Sequence, residues 1–88
     1  MITKDVEILN RLGIHARPAA MIAKAANRFS SDIRIHKDGL DVNGKSIMGI
    51  MMLAAAEGNV ITIQATGNDA EKAIEALEEV VRNKFGEE

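Results

Sequence analysis

The 88-residue chain predicts an α+β fold: a two-layer open-faced sandwich with elements in the order β-α-β-β-α-β-α. Three observations lead there. Apolar side chains switch between a period of two and a period near 3.6 along the chain. Each two-period segment has one apolar and one polar face, so one side of the sheet is left to water and the helices gather on the other. A chain of this length with 47% apolar residues can build one modest core and not two, so residues 1–88 are expected to form a single domain.

The first strand pattern covers residues 2–9. Ile2, Val6 and Ile8 lie on one face, Thr3, Asp5 and Glu7 on the other, with a lapse at Lys4. Asn10 to Gly13 breaks it. From Ala16 to Phe29, residues Ala19, Ile22, Ala26 and Phe29 recur at helical spacing, and Pro18 sits in the first turn, where a missing N–H is no loss. Ile33 and Ile35, then Leu40 and Val42, alternate with polar neighbours around Asp38-Gly39, a pair suited to a tight hairpin whose two turn positions need positive φ. Ser46 caps a short helix that starts at Ile47 and is over by Glu57-Gly58-Asn59. Ile61, Ile63 and Ala65 mark a fourth strand. After Gly67, Asn68 and Glu71 have capping-box spacing. The last helix carries Ala70, Ala73, Ile74, Leu77, Val80, Val81 and Phe85 in one stripe, with Glu71, Glu75, Glu78, Glu79 and Arg82 facing water.

Composition removes several function classes. Without cysteine there is no disulfide scaffold, thiolate metal site, redox dithiol or cysteine nucleophile. Phe29 and Phe85 are the only aromatic residues and the net charge is −2, so neither base stacking nor phosphate-backbone binding is expected, and no nucleic-acid partner. The longest apolar run, Ile47 to Ala56, is about half of a membrane span, so no membrane insertion is expected. The first residues lack a basic segment followed by an apolar one, which makes a cytoplasmic location the expectation. The methionines have no partner ligand at metal-site spacing, and no metal or cofactor is expected. His36 reads as an ordinary surface histidine on the polar face of the second strand.

Residues 11–28 concentrate Arg11, Arg17, Lys24 and Arg28 with no acidic residue, which suits one anionic ligand or an acidic protein surface. His15 lies within this stretch, where a loop enters a helix. The N–H groups of Ala16 and Arg17 belong to the unpaired first turn, which attracts anions and disfavours cations. An unprotonated ring nitrogen is a nucleophile, and a phosphoryl group on it would sit at the positive end of the helix beside Arg17. No acid lies near His15 in the sequence, so hydrolase chemistry lacks a partner group. The alternative from another class is a small α/β module that binds an anionic metabolite reversibly at the same helix start.

The stretch Leu12-Gly13-Ile14-His15-Ala16-Arg17-Pro18-Ala19 resembles the active-site segment of the HPr family, the histidine-containing phosphocarriers of the phosphoenolpyruvate-dependent phosphotransferase system. Asn43-Gly44-Lys45-Ser46-Ile47-Met48-Gly49-Ile50-Met51 is similar to that family's regulatory segment, and the resemblance extends over essentially the whole chain. It implies an antiparallel four-stranded sheet of order 1-4-2-3 with three helices on one face. It further implies a cytoplasmic phosphocarrier rather than an enzyme that turns over a substrate alone. His15 would accept a phosphoryl group on Nδ1 from phospho-enzyme I and pass it to enzyme IIA domains of sugar permeases. Arg17 would stabilise that group, with Ala16 and Pro18 shaping the helix start. Ile47, Met48 and Met51 would dock the partners, with Ala20 and Lys24 beside them, while Ile50 and Leu53 face the core. Ser46 has two compatible readings, a helix cap and a regulatory phosphorylation site for HPr kinase/phosphorylase. A monomer is expected. Within the family, the Phe85-Gly86-Glu87-Glu88 ending is reminiscent of the nitrogen-branch paralogue NPr, whereas Ser46-Ile47-Met48-Gly49 leans toward sugar-branch HPr.

Overall fold

The computed structural model describes residues 1–87. The elements run β1 (Ile2–Glu7), α1 (Ala16–Ala26), β2 (Asp32–Lys37), β3 (Leu40–Asn43), α2 (Ile47–Met52), β4 (Val60–Thr66), α3 (Ala70–Arg82) and a closing 3-10 turn (Lys84–Gly86). All strand pairs are antiparallel, in the order β1-β4-β2-β3. The chain therefore has the expected element order and sheet.

Register follows from the period of two. Val6 pairs with Ile61, and Ile35 pairs with both Ile63 and Val42, so one face collects the apolar side chains. Ile33, Ile35, Ile61, Ile63 and Ala65 are fully or almost fully buried there, beneath Ala19, Ile22 and Ala26 of α1 and Ala73, Leu77 and Val81 of α3. Lys4, the lapse in β1, lies on this same face at the sheet edge, and its ammonium reaches Glu78 of α3 at 3.5 Å. The opposite face is polar: Asp5 accepts from Thr62 Oγ1 at 2.7 Å, and Arg34 reaches Asp41 at 3.2 Å. The hairpin has the anticipated geometry, with φ of 51° at Asp38 and 82° at Gly39.

Three local expectations are corrected. Helix α1 stops at Ala26, and Phe29 is reached through a turn, half-buried against the core. Asn68 and Glu71 form no capping box, because the N-cap of α3 is Asp69. The Asp69 carboxylate does not cap either: it accepts from the backbone N–H and the hydroxyl of both Ser30 and Ser31, more donors than the helix start offers it. Phe85 is not on the α3 stripe. The helix ends at Arg82, Lys84 and Phe85 both take left-handed φ of 56°, and this reversal drives the Phe85 ring back into full burial. The reversal also swings the following residues over the start of α1.

Candidate functional site

The loop before α1 is held rigidly. Gly13 has φ of 66°, and a Cβ there would stand 2.6 Å from the Ala55 carbonyl oxygen, so only glycine fits. Ile14 N–H donates to that same carbonyl at 2.9 Å, and Asn10 Nδ2 donates to the Gly13 carbonyl at 2.8 Å. His15 follows as the N-cap of α1 in extended backbone conformation, its carbonyl accepting from Ala19 N–H at 3.0 Å. Its side chain makes no capping bond, the first turn holds no acid, and the ring stands 39% exposed. Ala16 and Arg17 are exposed beside it, while Pro18 is buried and anchors the turn.

The sequence reading placed no acid near His15. The fold brings one there. Glu87 Oε2 lies 2.8 Å from His15 Nε2 and 3.2 Å from Arg17 Nη1, and Glu87 Oε1 accepts from Asn10 Nδ2 at 3.0 Å. Arg17 Nη1 also donates to the Phe85 carbonyl at 3.0 Å, which ties the guanidinium to the reversed chain end. Burial acts to raise the Glu87 carboxyl, but the hydrogen bonds from Asn10, His15 and Arg17, with the positive charge of the imidazole, outweigh it and hold the group below the ordinary carboxylate range.

This contact distinguishes the two ring nitrogens. A carboxylate only accepts, so Nε2 carries the hydrogen, and whenever the ring is neutral its lone pair lies at Nδ1. Asn10 and Glu87 were not singled out from the sequence as site residues. Asn10 read as a strand break, although a fully buried side-chain amide beside the site is its actual character. Glu87 carried no local signal at all, since 72 residues separate it from His15.

The second segment lies beside the first, because α2 packs against α1. Ser46 is the N-cap of α2, and its Oγ accepts from Gly49 N–H at 3.0 Å. Ile50 and Leu53 are buried, as the sequence pattern required. Ile47, Met48 and Met51 are exposed, Met48 at 77%, and Lys24 is exposed on α1 with Ala20 half-buried. His36 stands apart on the open sheet face, with its ring near Gln64 and Asp41. Among the described residues, no group of three or more His, Cys, Asp or Glu side chains is arranged to hold a metal ion, and no helix is long and apolar enough to cross a membrane.

Residues 2–83 match the family model described as "PTS HPr component phosphorylation site". The chain is 48% identical over 88 residues to the phosphocarrier protein HPr of Treponema pallidum, covering all of both chains. It superposes on a crystal structure of HPr from Thermoanaerobacter tengcongensis with a TM-score of 0.95 at 50% identity, covering 100% of this chain and 99% of that one. A crystal structure of an HPr dimer from the same organism gives a TM-score of 0.79 at 51% identity, covering 93% and 94%. Of the two branches weighed from the sequence, these relatives carry the name HPr. With the sheet order, the helix layer and the full-length similarity all agreeing, the chain belongs to the HPr family, the phosphocarrier proteins of the phosphotransferase system.

Proposed function

We propose that the carrier chemistry takes place on His15 Nδ1. The observation that carries this reading is the 2.8 Å contact between Nε2 and Glu87, which leaves the Nδ1 lone pair as the nucleophile at the positive end of α1. The Nδ1 lone pair forms a bond to phosphorus as the bond to the leaving group of phospho-enzyme I breaks, and the hydrogen on Nε2 stays in place. The reverse displacement, by an acceptor on an enzyme IIA domain, unloads the site. A phosphoryl group and the Glu87 carboxylate repel each other, so Arg17 exchanges Glu87 for the phosphoryl oxygens when the site is loaded. Ala16 supplies a first-turn N–H toward the same oxygens, and Pro18 holds the turn.

Ile47, Met48 and Met51, with Ala20 and Lys24, serve as the docking face for enzyme I and the IIA domains. The basic side chains around His15 steer acidic partner surfaces toward it. Phosphorylation of Ser46 by an HPr kinase/phosphorylase would put charge beside Ile47 and Met48 while suiting the start of α2, so it would weaken docking and spare the fold. Residues 1–88 act as one domain, as a monomer, in the cytoplasm.

The test is the intact mass of the protein after incubation with phosphoenolpyruvate and purified enzyme I, with His15→Ala as control. An added phosphoryl group that is labile to acid, stable to base and absent from the variant supports a phosphohistidine at His15. No added mass, or equal mass gain in the variant, overturns the assignment.

A further inference from the structure

Three of the five methionines lie on one six-residue helix. Met48, Met51 and Met52 occupy i, i+3 and i+4 positions, neighbours on a helix surface. They are 77%, 42% and 67% exposed, whereas Met21 is half-buried against the core. No acidic or basic residue stands in the first or last turn of α2, and Ile50 is the only buried residue of the helix. The chain also has no cysteine, tryptophan or tyrosine. A two-electron oxidant therefore meets no thiolate to consume it first, and apart from Met1 at the chain start, 80% exposed, these thioethers are its most accessible targets.

We infer that Met48, Met51 and Met52 form an oxidation site for hydrogen peroxide and related two-electron oxidants, and that their sulfoxides switch off docking at α2. In each event a thioether lone pair attacks one peroxide oxygen. The sulfur–oxygen bond forms as the oxygen–oxygen bond breaks, and the departing hydroxide takes the proton of the transferred hydroxyl to leave water. Sulfur is oxidised and peroxide reduced, by two electrons each. An adaptable apolar side chain becomes polar and chiral, which a packed contact tolerates poorly. The fold survives because the altered groups face water. The switch rests on the docking role proposed above for α2; the oxidation site itself does not.

The experiment treats the unphosphorylated protein with hydrogen peroxide, removes the peroxide with catalase, and divides the sample. Peptide mass mapping reads the order of oxidation. The initial rate of phosphoryl uptake from phosphoenolpyruvate and enzyme I reads docking. Met48 and Met52 oxidise first, together with Met1, which lies outside α2, then Met51, and Met21 last. Uptake falls about ten-fold, the size expected for losing contacts at a docking centre. Methionine sulfoxide reductases of both stereochemical classes restore it. A Met48→Leu/Met51→Leu/Met52→Leu variant, compared with itself before and after peroxide, keeps a ratio near one. Met21 oxidising as fast as Met48 overturns the site. Sulfoxides on α2 with unchanged uptake, or a loss that persists after the reductases have removed them, overturns the switch. Failure of the untreated protein to take any phosphoryl group would instead count against the carrier reading, and the oxidation order would still decide the site.

Discussion

Glu87 Oε2 stands 2.8 Å from His15 Nε2 across 72 residues of chain, the one acidic group among the described residues that touches the histidine at the start of α1. The same oxygen lies 3.2 Å from Arg17, so one carboxylate occupies both side chains that the proposed carrier chemistry uses. On that proposal it orients the ring for attack through Nδ1 and competes with the product of the attack.

Glu87→Ala should therefore have two effects. In 15N spectra of the ring at neutral pH, the share of neutral imidazole with hydrogen on Nε2 should fall. At equilibrium with enzyme I, the phosphorylated fraction should rise, because Arg17 no longer has to leave a carboxylate. An unchanged tautomer distribution would remove Glu87 from the orientation of His15. The pH dependence has a definite sign. The Glu87 carboxyl lies below its ordinary value of 4.5 in the folded protein, so its contribution to stability is present above that value and is lost as pH falls through the lower one. The difference in Tm between the wild type and Glu87→Gln should be visible at neutral pH and should close in acid.

Arg17→Glu should leave the fold intact, because the Arg17 side chain is 57% exposed and its bonds lie at the chain end. Phosphoryl transfer should slow about 100-fold, the typical loss when a charge-stabilising donor is removed. Stopped-flow transfer from phospho-enzyme I checks this, and near-normal kinetics would take Arg17 out of the mechanism.

Ser46→Ala and Ser46→Asp separate the cap from the switch. The alanine variant loses the bond to Gly49 N–H and should be destabilised by about 1 kcal/mol, with transfer retained. The aspartate variant keeps an acceptor at the N-cap and should fold normally, but it should couple to enzyme I roughly ten-fold more weakly. Denaturant titration and transfer rates measure the two effects. If Ser46→Asp unfolds the domain, the serine is a structural cap first.

Asp69 ties Ser30 and Ser31, between α1 and β2, to the start of α3. Hydrogen bonds from the Ser31 hydroxyl and the Ser30 backbone lead in lowering its carboxyl to about 2. A depressed carboxylate stabilises the fold above its ordinary value of 3.8 and stops doing so as pH falls through about 2. Asp69→Asn should lower the urea midpoint at neutral pH, and the gap to the wild type should close between those two values. A gap independent of pH would mean that the contacts depend on shape and not on charge.

Phe85→Ala should cost about 3–5 kcal/mol, as expected for emptying a fully buried aromatic site. It should also loosen the Glu87 contact, because the ring anchors the reversal that places Glu87 over α1. Loss of stability with an unperturbed His15 ring resonance would show that the two are independent.

The sequence by itself determined the elements and the faces they bury. Strand and helix periods are local properties, so Ile33, Ile35, Ile61 and Ile63 could be assigned to the core face, as could Ile50 and Leu53, and Asp38-Gly39 to a hairpin. The positions of His15, Arg17 and Ser46 at helix starts were legible for the same reason, since neighbouring residues specify where each helix begins. Tertiary structure alone decided the company these residues keep. The Asn68 cap gave way to Asp69, whose carboxylate is engaged by serines about 40 residues away in the chain. The stripe reading put Phe85 on α3, where its spacing is right, but two left-handed residues carry it off the helix and into the core. From that reversal follows the placing of Glu87 against Asn10, His15 and Arg17. Periodicity reports which way a side chain faces within its own element. A contact between distant segments depends on how whole elements pack and where the chain turns, and no local spacing encodes that.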